Sequence, residues 1–480
     1  MERRRFLRLT ALAAGSALQG RIALPQDDPN VEAIGRLIEM QMAENRIPGV
    51  AFGVSRNGRT TLRGFGLTNV DNPQPITSDT VFPIASISKT VVATAMAKLV
   101  EEGRLDWAAP VRNFLPDFAV QDASASRDVR LWHLLTHTPG WEGQLPTPDR
   151  GDETLAQFTN GLRDLPQLAP PGTVWSYNNA GFGVAGRVLE AVTGSSIHDA
   201  MNDLVFAPFG LERAFTRTGT AMTHRFAAGH RELETGTGVI RPFELPVNVT
   251  AGGAAMSLSS LLRYAEIHLS RESLAPLRAS RLVKNATTDE MGLSWQLRRL
   301  DGVLTAAHGG TLAGHCLHLQ LVPERNLAFA ILTNHNEGWR LIQAVERAVL
   351  KTYEGLSLSP NQATGGNRGG NEDMTAHATP LTGQPDVTPY VGTYQRPPNG
   401  TAVVRTQGAG LVVRGGGSGD LDLPLVFWGS DLAYASPSEG ASYTTPFRPY
   451  RGMPIEFIRR PDGNVGWIRI NGRIAAKENE

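Results

Sequence analysis

The chain has 480 residues, of which 41% are hydrophobic, and its 46 Lys and Arg balance 46 Asp and Glu. That length exceeds the roughly 250–300 residues a single core supports, so more than one domain is expected. Zero net charge and the lack of a basic stripe argue against nucleic acid as the main partner. The single cysteine, Cys316, excludes an intrachain disulfide.

"MERRRFLRLTALAAGSALQG" places a basic start before a short apolar stretch, Leu9 to Leu18. A bilayer span needs roughly 20 apolar residues. Residues 1–24 are therefore expected to be an export signal. Arg3 and Arg4 resemble a twin-arginine signal, although no single small-x-small site marks a cleavage point before Pro25. This predicts an exported protein, periplasmic or extracellular, with no membrane span after signal removal and an oligomeric state left open.

Next, Ile34, Leu37, Ile38 and Met42 fall at helical spacing. Two β-like runs flank Asn57-Gly58, a dipeptide that tolerates positive φ at both central positions of a tight hairpin turn. From Val91 to Val100 the chain is apolar nearly all round, as in a buried helix, and Gly103 looks like its stop. Residues 104–260 read mostly as helices and loops without an internal repeat. Strands return over 303–334, with a hairpin at Pro323–Asn326, and "GWRLIQAVERAVLKTYEG" reads as an amphipathic helix. Residues 356–384, rich in Gly, Asn, Thr and Pro, read as a flexible linker. Beyond them, over 385–480, "TAVVRT", "GLVVRG", "PLVFWG", "IEFIRR" and "VGWIRI" alternate with turns. The fold class expected is α+β over 25–355, an antiparallel sheet flanked by helices plus a helical subdomain, followed by a small all-β domain for which a barrel is one arrangement.

The chain has only five lysines against 41 arginines, and one of them, Lys89, stands three residues after Ser86. On a helix, i and i+3 share a face. A serine hydroxyl is a weak nucleophile until a base takes its proton. A buried amine can be that base, because desolvation lowers its pKa, whereas arginine stays protonated. Alone, S-x-x-K is also compatible with a surface lysine. Two further stretches carry polar groups that suit the same chemistry. Tyr177-Asn178-Asn179, if extended, would project a phenol and an amide together. His308-Gly309-Gly310 ends a strand where a substrate could lie on bare backbone.

These motifs, in this order, resemble the serine hydrolases related to class C β-lactamases and D-alanyl-D-alanine carboxypeptidases, a family that includes esterases and D-aminopeptidases. "FPIASISKTVVATAMAKLVEEGRLD", "VRLWHLLTHTPGW", "PGTVWSYNNAGFGVAGRVLEAVTG", "TAGGAAMSLSSLLRYAEI" and "HGGTLAGH" carry the likeness, which spans roughly 30–350. The resemblance implies a β-lactamase/transpeptidase-like fold and a hydrolase that needs no cofactor. Ser86 would be the acylated nucleophile, and Lys89 and Tyr177 would share proton transfer. Asn179 would orient Lys89 and the substrate, which is a small molecule or peptide-like compound. The backbone N–H groups of Ser86 and Thr311 would form the oxyanion hole, beside Gly310. His308 departs from the lysine that the family's β-lactamases mostly carry, and histidine is only partly charged near neutral pH. Esters, small amides or D-amino-acid compounds therefore suit the site better than anionic β-lactams. A class C-type β-lactamase, a D-alanyl-D-alanine carboxypeptidase and a binding protein without turnover are the alternatives.

Other motifs read as structural. His133 and His137 are spaced for a metal on a helix, but the glutamate of a metalloprotease motif is missing between them. His315 and His318, on a strand, would point to opposite faces, and Cys316 between them reads as core. "GGGSG" at 415–419 is followed by Asp420 and by no helix, so it reads as a turn rather than a nucleophile elbow.

Overall fold

The computed structural model describes residues 29–144, 154–234, 236–241, 249–283, 289–358, 379–382, 385–415, 421–436 and 452–478. The expected export signal lies outside them, as do most of the expected linker and residues 416–420 of the Gly-rich turn. Among the described residues no helix is long and apolar enough to cross a membrane.

The centre of the larger domain is an antiparallel sheet of eight strands: β1 (Gly49–Arg56), β2 (Arg59–Gly66), β3 (Leu282–Val283), β4 (Glu290–Met291), β5 (Gln296–Leu300), β6 (Val303–Leu312), β7 (His315–Val322) and β8 (Leu327–Thr333). Their order is β2-β1-β8-β7-β6-β5-β4-β3. At the β1–β2 turn, Asn57 and Gly58 have φ of 52° and 77°, the conformation the dipeptide was expected to supply. β7 and β8 form the second expected hairpin, with Val322 opposite Leu327.

Both faces of the sheet's centre are covered, so β1, β7 and β8 are buried almost throughout rather than alternating, whereas β2 at the edge is exposed or half-buried. Val50, Phe52, Val54, Phe329 and Ile331 face α1 (Pro29–Asn45) and α5 (Gly338–Glu354). Ala51, Ala328, Ala330 and Leu332 face the other side, against α4 (Leu258–Ser270) and the main core. That core also holds α2 (Ser88–Glu101), in which every residue from Ser88 to Ala97 is buried, and α3 (Asn179–Thr193). Past the end of α2, Gly103 adopts φ of 70°. The 104–260 stretch departs from its reading as helices and loops in one respect. It contributes Ala214–Phe215 and Ala255–Ser257 to a three-stranded sheet with Val81–Pro83, and a hairpin of His230–Leu233 with Gly236–Val239. Strands of two to four residues are too short to show an alternation.

The C-terminal part is a closed barrel of eight antiparallel strands: β9 (Gly392–Gln395), β10 (Thr401–Gln407), β11 (Gly410–Gly415), β12 (Leu423–Gly429), β13 (Leu432–Ala435), β14 (Pro454–Arg459), β15 (Val465–Ile470) and β16 (Arg473–Lys477). Tyr394 of β9 pairs with Lys477 of β16 to close it, which removes the exposed strand edges that invite aggregation. Tyr390, Tyr394, Phe427 and Phe457 fill its interior. The β15–β16 hairpin, turning at Asn471 (φ 52°) and Gly472 (φ 73°), lies on the larger domain. Trp467 and Ile474 pack on Ala169 and Val174. Tyr177 N donates to Gly472 O (2.8 Å), Ile474 N to Ser176 Oγ (3.2 Å) and Trp467 Nε1 to Leu168 O (2.8 Å).

Candidate active site

Ser86 sits on a single 3-10 turn, Ala85–Ile87, between the Val81–Pro83 strand and α2. Ala85 is held at φ of 46°, a left-handed conformation that costs a non-glycine residue energy and recurs where a side chain must be aimed. Lys89 stands in the first turn of α2, three residues on and on the same face. Its Nζ lies 3.2 Å from Ser86 Oγ. It also donates a 2.5 Å bond to the Ala251 carbonyl, in the helical turn Val249–Gly252. Lys89 is fully buried. Burial first, and the positive charge of Arg473 second, hold its amine well below the usual lysine pKa, which favours the uncharged form. Such an amine can donate one hydrogen to Ala251 and accept the Ser86 hydroxyl proton with its lone pair.

Tyr177 is buried beside this pair, with Lys89 Nζ 4.9 Å from its ring centroid. The ring packs on His137 at 4.4 Å, and Phe182 adds a second aromatic face 5.5 Å from the amine. His137 Nδ1 accepts from Asn178 N (3.0 Å). Burial, with the nearby charges of Lys89 and His308, pushes the His137 pKa well down. Asn178 caps α3, accepting from Gly181 N at 2.7 Å and donating to Trp141 O at 2.7 Å. Asn178→Ala is therefore expected to cost about 2–3 kcal/mol, from the lost cap and the orphaned Trp141 carbonyl. A lower midpoint in urea denaturation, with slower turnover as Tyr177 loosens, would show it.

Two neighbouring groups have settings that a one-dimensional reading does not show. The segment after Tyr177 does not stay extended, because Asn179 is already the first residue of α3. Its amide donates to Gln144 Oε1 at 3.1 Å, and the groups that Lys89 bonds are Ser86 and Ala251 instead. Gly310 faces protein rather than open cleft. A Cβ there would stand 2.7 Å from Ile84 O and 3.2 Å from Ser86 N, so its bare backbone is what lets β6 pass against the nucleophile turn. Thr311 follows, its Oγ1 accepting from Trp339 Nε1 at 2.8 Å. His308 is buried on the same strand. Its Nδ1 lies 2.7 Å from Gly309 O, and since a carbonyl only accepts, Nδ1 carries a hydrogen.

Sequence reasoning missed Ala251, whose carbonyl carries no residue-type signal. It also missed Arg473, Glu142 and Gln144, which meet at the mouth of the site from separate domains. The histidine pairs serve local structure: His133 Nδ1 accepts from Arg130 N (2.9 Å), and His315 Nε2 bonds Ala227 O (2.9 Å). Among the described residues no group of three or more His, Cys, Asp or Glu could hold a metal.

A profile of the β-lactamase family matches residues 34–352. The chain belongs to the β-lactamase family. It is a serine hydrolase of that family, whose members work through an acyl-enzyme. Penicillin-binding protein 4 of Amycolatopsis lactamdurans is 30% identical over 376 residues, 74% of this chain and 94% of that protein. Among solved structures, SurE with D-Leu superposes with a TM-score of 0.75 at 24% identity, over 94% of this chain and 100% of that one. A class C β-lactamase from Rhodobacter sphaeroides superposes with a TM-score of 0.59 at 22% identity, over 67% of this chain and 99% of that one. These two likenesses show the fold: the β-lactamase/transpeptidase-like domain in both, and in SurE nearly the whole two-domain chain.

Proposed function

We propose that this member of the family hydrolyses esters, small amides or D-amino-acid compounds through an acyl group carried on Ser86. The observation that carries the reading is a fully buried amine 3.2 Å from the Ser86 hydroxyl. As Ser86 Oγ bonds the substrate's acyl carbon, its proton passes to Lys89 Nζ. The oxyanion is held by the backbone N–H groups of Ser86 and Thr311, donors whose loss typically costs about 10²–10³ in rate. When the bond to the leaving alcohol or amine breaks, Lys89 returns the proton to it, with Tyr177 as relay. Water then repeats the sequence on the acyl-serine and releases the acid. Asn179 and His308 line the substrate side. An imidazole at position 308 is a weaker anchor for a substrate carboxylate than a lysine ammonium, which favours uncharged esters and amides. The similarity to a penicillin-binding protein keeps β-lactam acylation and D-alanyl-D-alanine carboxypeptidase activity as a second reading. Export of the chain, to periplasm or medium, is proposed from its Arg-rich, apolar leader.

Mass spectrometry after incubation with a fluorophosphonate is expected to find one adduct, on Ser86. A panel of activated esters, D-amino-acid amides and nitrocefin is expected to show the esters or amides turned over fastest. Absence of any adduct with several such probes would leave a binding protein. Fast nitrocefin turnover would leave a β-lactamase.

A further inference from the structure

The barrel delivers an ionised side chain to the catalytic centre. Arg473, at the first position after the Asn471-Gly472 turn, donates from Nη1 to Tyr177 O (2.8 Å) and from Nη2 to Gln144 Oε1 (3.1 Å). Gln144 in turn holds the Asn179 amide. The guanidinium carbon stands 5.4 Å from the Tyr177 ring centroid, the same ring that lies 4.9 Å from Lys89 Nζ. The two cationic groups are therefore separated by no more than the sum of these distances. Glu142, 1% exposed, approaches Arg473 at 3.6 Å and Arg396 of the barrel at 3.2 Å. Two guanidiniums against one carboxylate leave a net positive charge beside Tyr177. Among the described residues the other titratable groups around Lys89 are Tyr177, whose ring it faces, and His137, which packs on that ring with His308 beyond it; Ala251 and Phe182 themselves present none.

We propose that Arg473 is a positioning residue of the hydrolase centre, fixing the Tyr177 backbone and placing a permanent positive charge beside the Tyr177 ring that Lys89 also faces. The barrel is then a working part of the active site rather than an appended module. For its catalytic meaning the inference rests on the acyl-Ser86 reading. Its electrostatic content does not need turnover.

Because the chain has only five lysines, full-length protein labelled with ¹³C at lysine Cε allows Lys89 to be titrated directly by NMR. At separations of this order a unit charge in a partly buried site shifts a neighbour by about 0.5–1.5 pH units. Arg473→Gln is expected to move the Lys89 titration up by that amount, and Glu142→Gln, which leaves the guanidinium in place, to move it down. Arg473→Lys is expected to restore most of the wild-type value. A purely structural role would not give opposite signs. If Arg473→Gln does not fold, the downward shift in Glu142→Gln decides the matter alone. A Lys89 titration unmoved by these substitutions overturns the proposal. Ester hydrolysis read in parallel should show the acid limb of kcat/KM following the same shifts. Lys89 shifts that the rates do not follow would sink the Lys89 base and leave the charge role of Arg473 standing.

Discussion

Ser86→Ala and Lys89→Met are each expected to lower kcat for an activated ester by at least about 10³-fold, and the double variant by no more than the worse single one. In the proposed mechanism nucleophile and base act as one unit, so removing either disables both. Double-variant kinetics on one ester check this. Independent, multiplying losses would mean that Lys89 does not take the Ser86 proton. Lys89→Met carries a second expected result in stability. In the unfolded chain the amine binds a proton up to about pH 10.4. In the fold, burial and Arg473 push that affinity well down. Between the two pKa values the unfolded state holds one proton more, so this group makes wild-type stability rise with pH, by about tenfold in the folding equilibrium per pH unit. The methionine variant lacks that slope. Its stability relative to wild type should fall steadily as pH is raised, and denaturant titrations at several pH values will show it. A constant difference would mean that Lys89 stays protonated when folded.

Gly310→Ala is the second large effect expected. The added methyl would stand 2.7 Å from Ile84 O and 2.9 Å from Ala85 Cβ. Neither neighbour can yield easily. Ile84 is fully buried with its N–H on Ala254 O at 2.8 Å, and Ala85 is already held at φ of 46°. β6 must therefore retreat from the Ser86 turn, which takes the Thr311 N–H away from the oxyanion position proposed for it. A loss of about 10²–10³ in kcat is expected, with about 1–3 kcal/mol of stability lost to overpacking. Gly219→Ala is the control: nothing lies within 4 Å of its added Cβ, so stability and kcat should stay close to wild type. If Gly310→Ala kept wild-type kcat, the substrate oxygen would not be held at this strand.

Much of the fold was legible because its signals are local. Asn57-Gly58 specifies a hairpin turn by itself, the apolar run Val91–Val100 can only be a buried helix, and the five β-runs after residue 400 each carry their own turn. The Ser86–Lys89 spacing is also local, because residues three apart at a helix start share one face. What escaped reading depends on tertiary placement. Nothing in "TAGGAAM" says that the Ala251 carbonyl will meet an amine 162 positions earlier. Arg473 looks like any strand arginine until the barrel is set against Tyr177. Gly310 was read as room for substrate because a glycine's neighbours across space are invisible in one dimension. The cap at Asn178 starts a helix at Asn179, one residue sooner than an extended reading allows.

The pairing of β1 with β8 puts Val50 opposite Thr333. The first strand to leave the ribosome thus waits for the last strand of the same sheet before it can be sandwiched. At about 5–20 residues per second, that interval is roughly 15–60 s of synthesis. During it, the apolar face of Val50, Phe52 and Val54 has α1 to pack on but neither β8 beside it nor α5 over it, and chaperones have a defined window in which to shelter the nascent N-terminal segment.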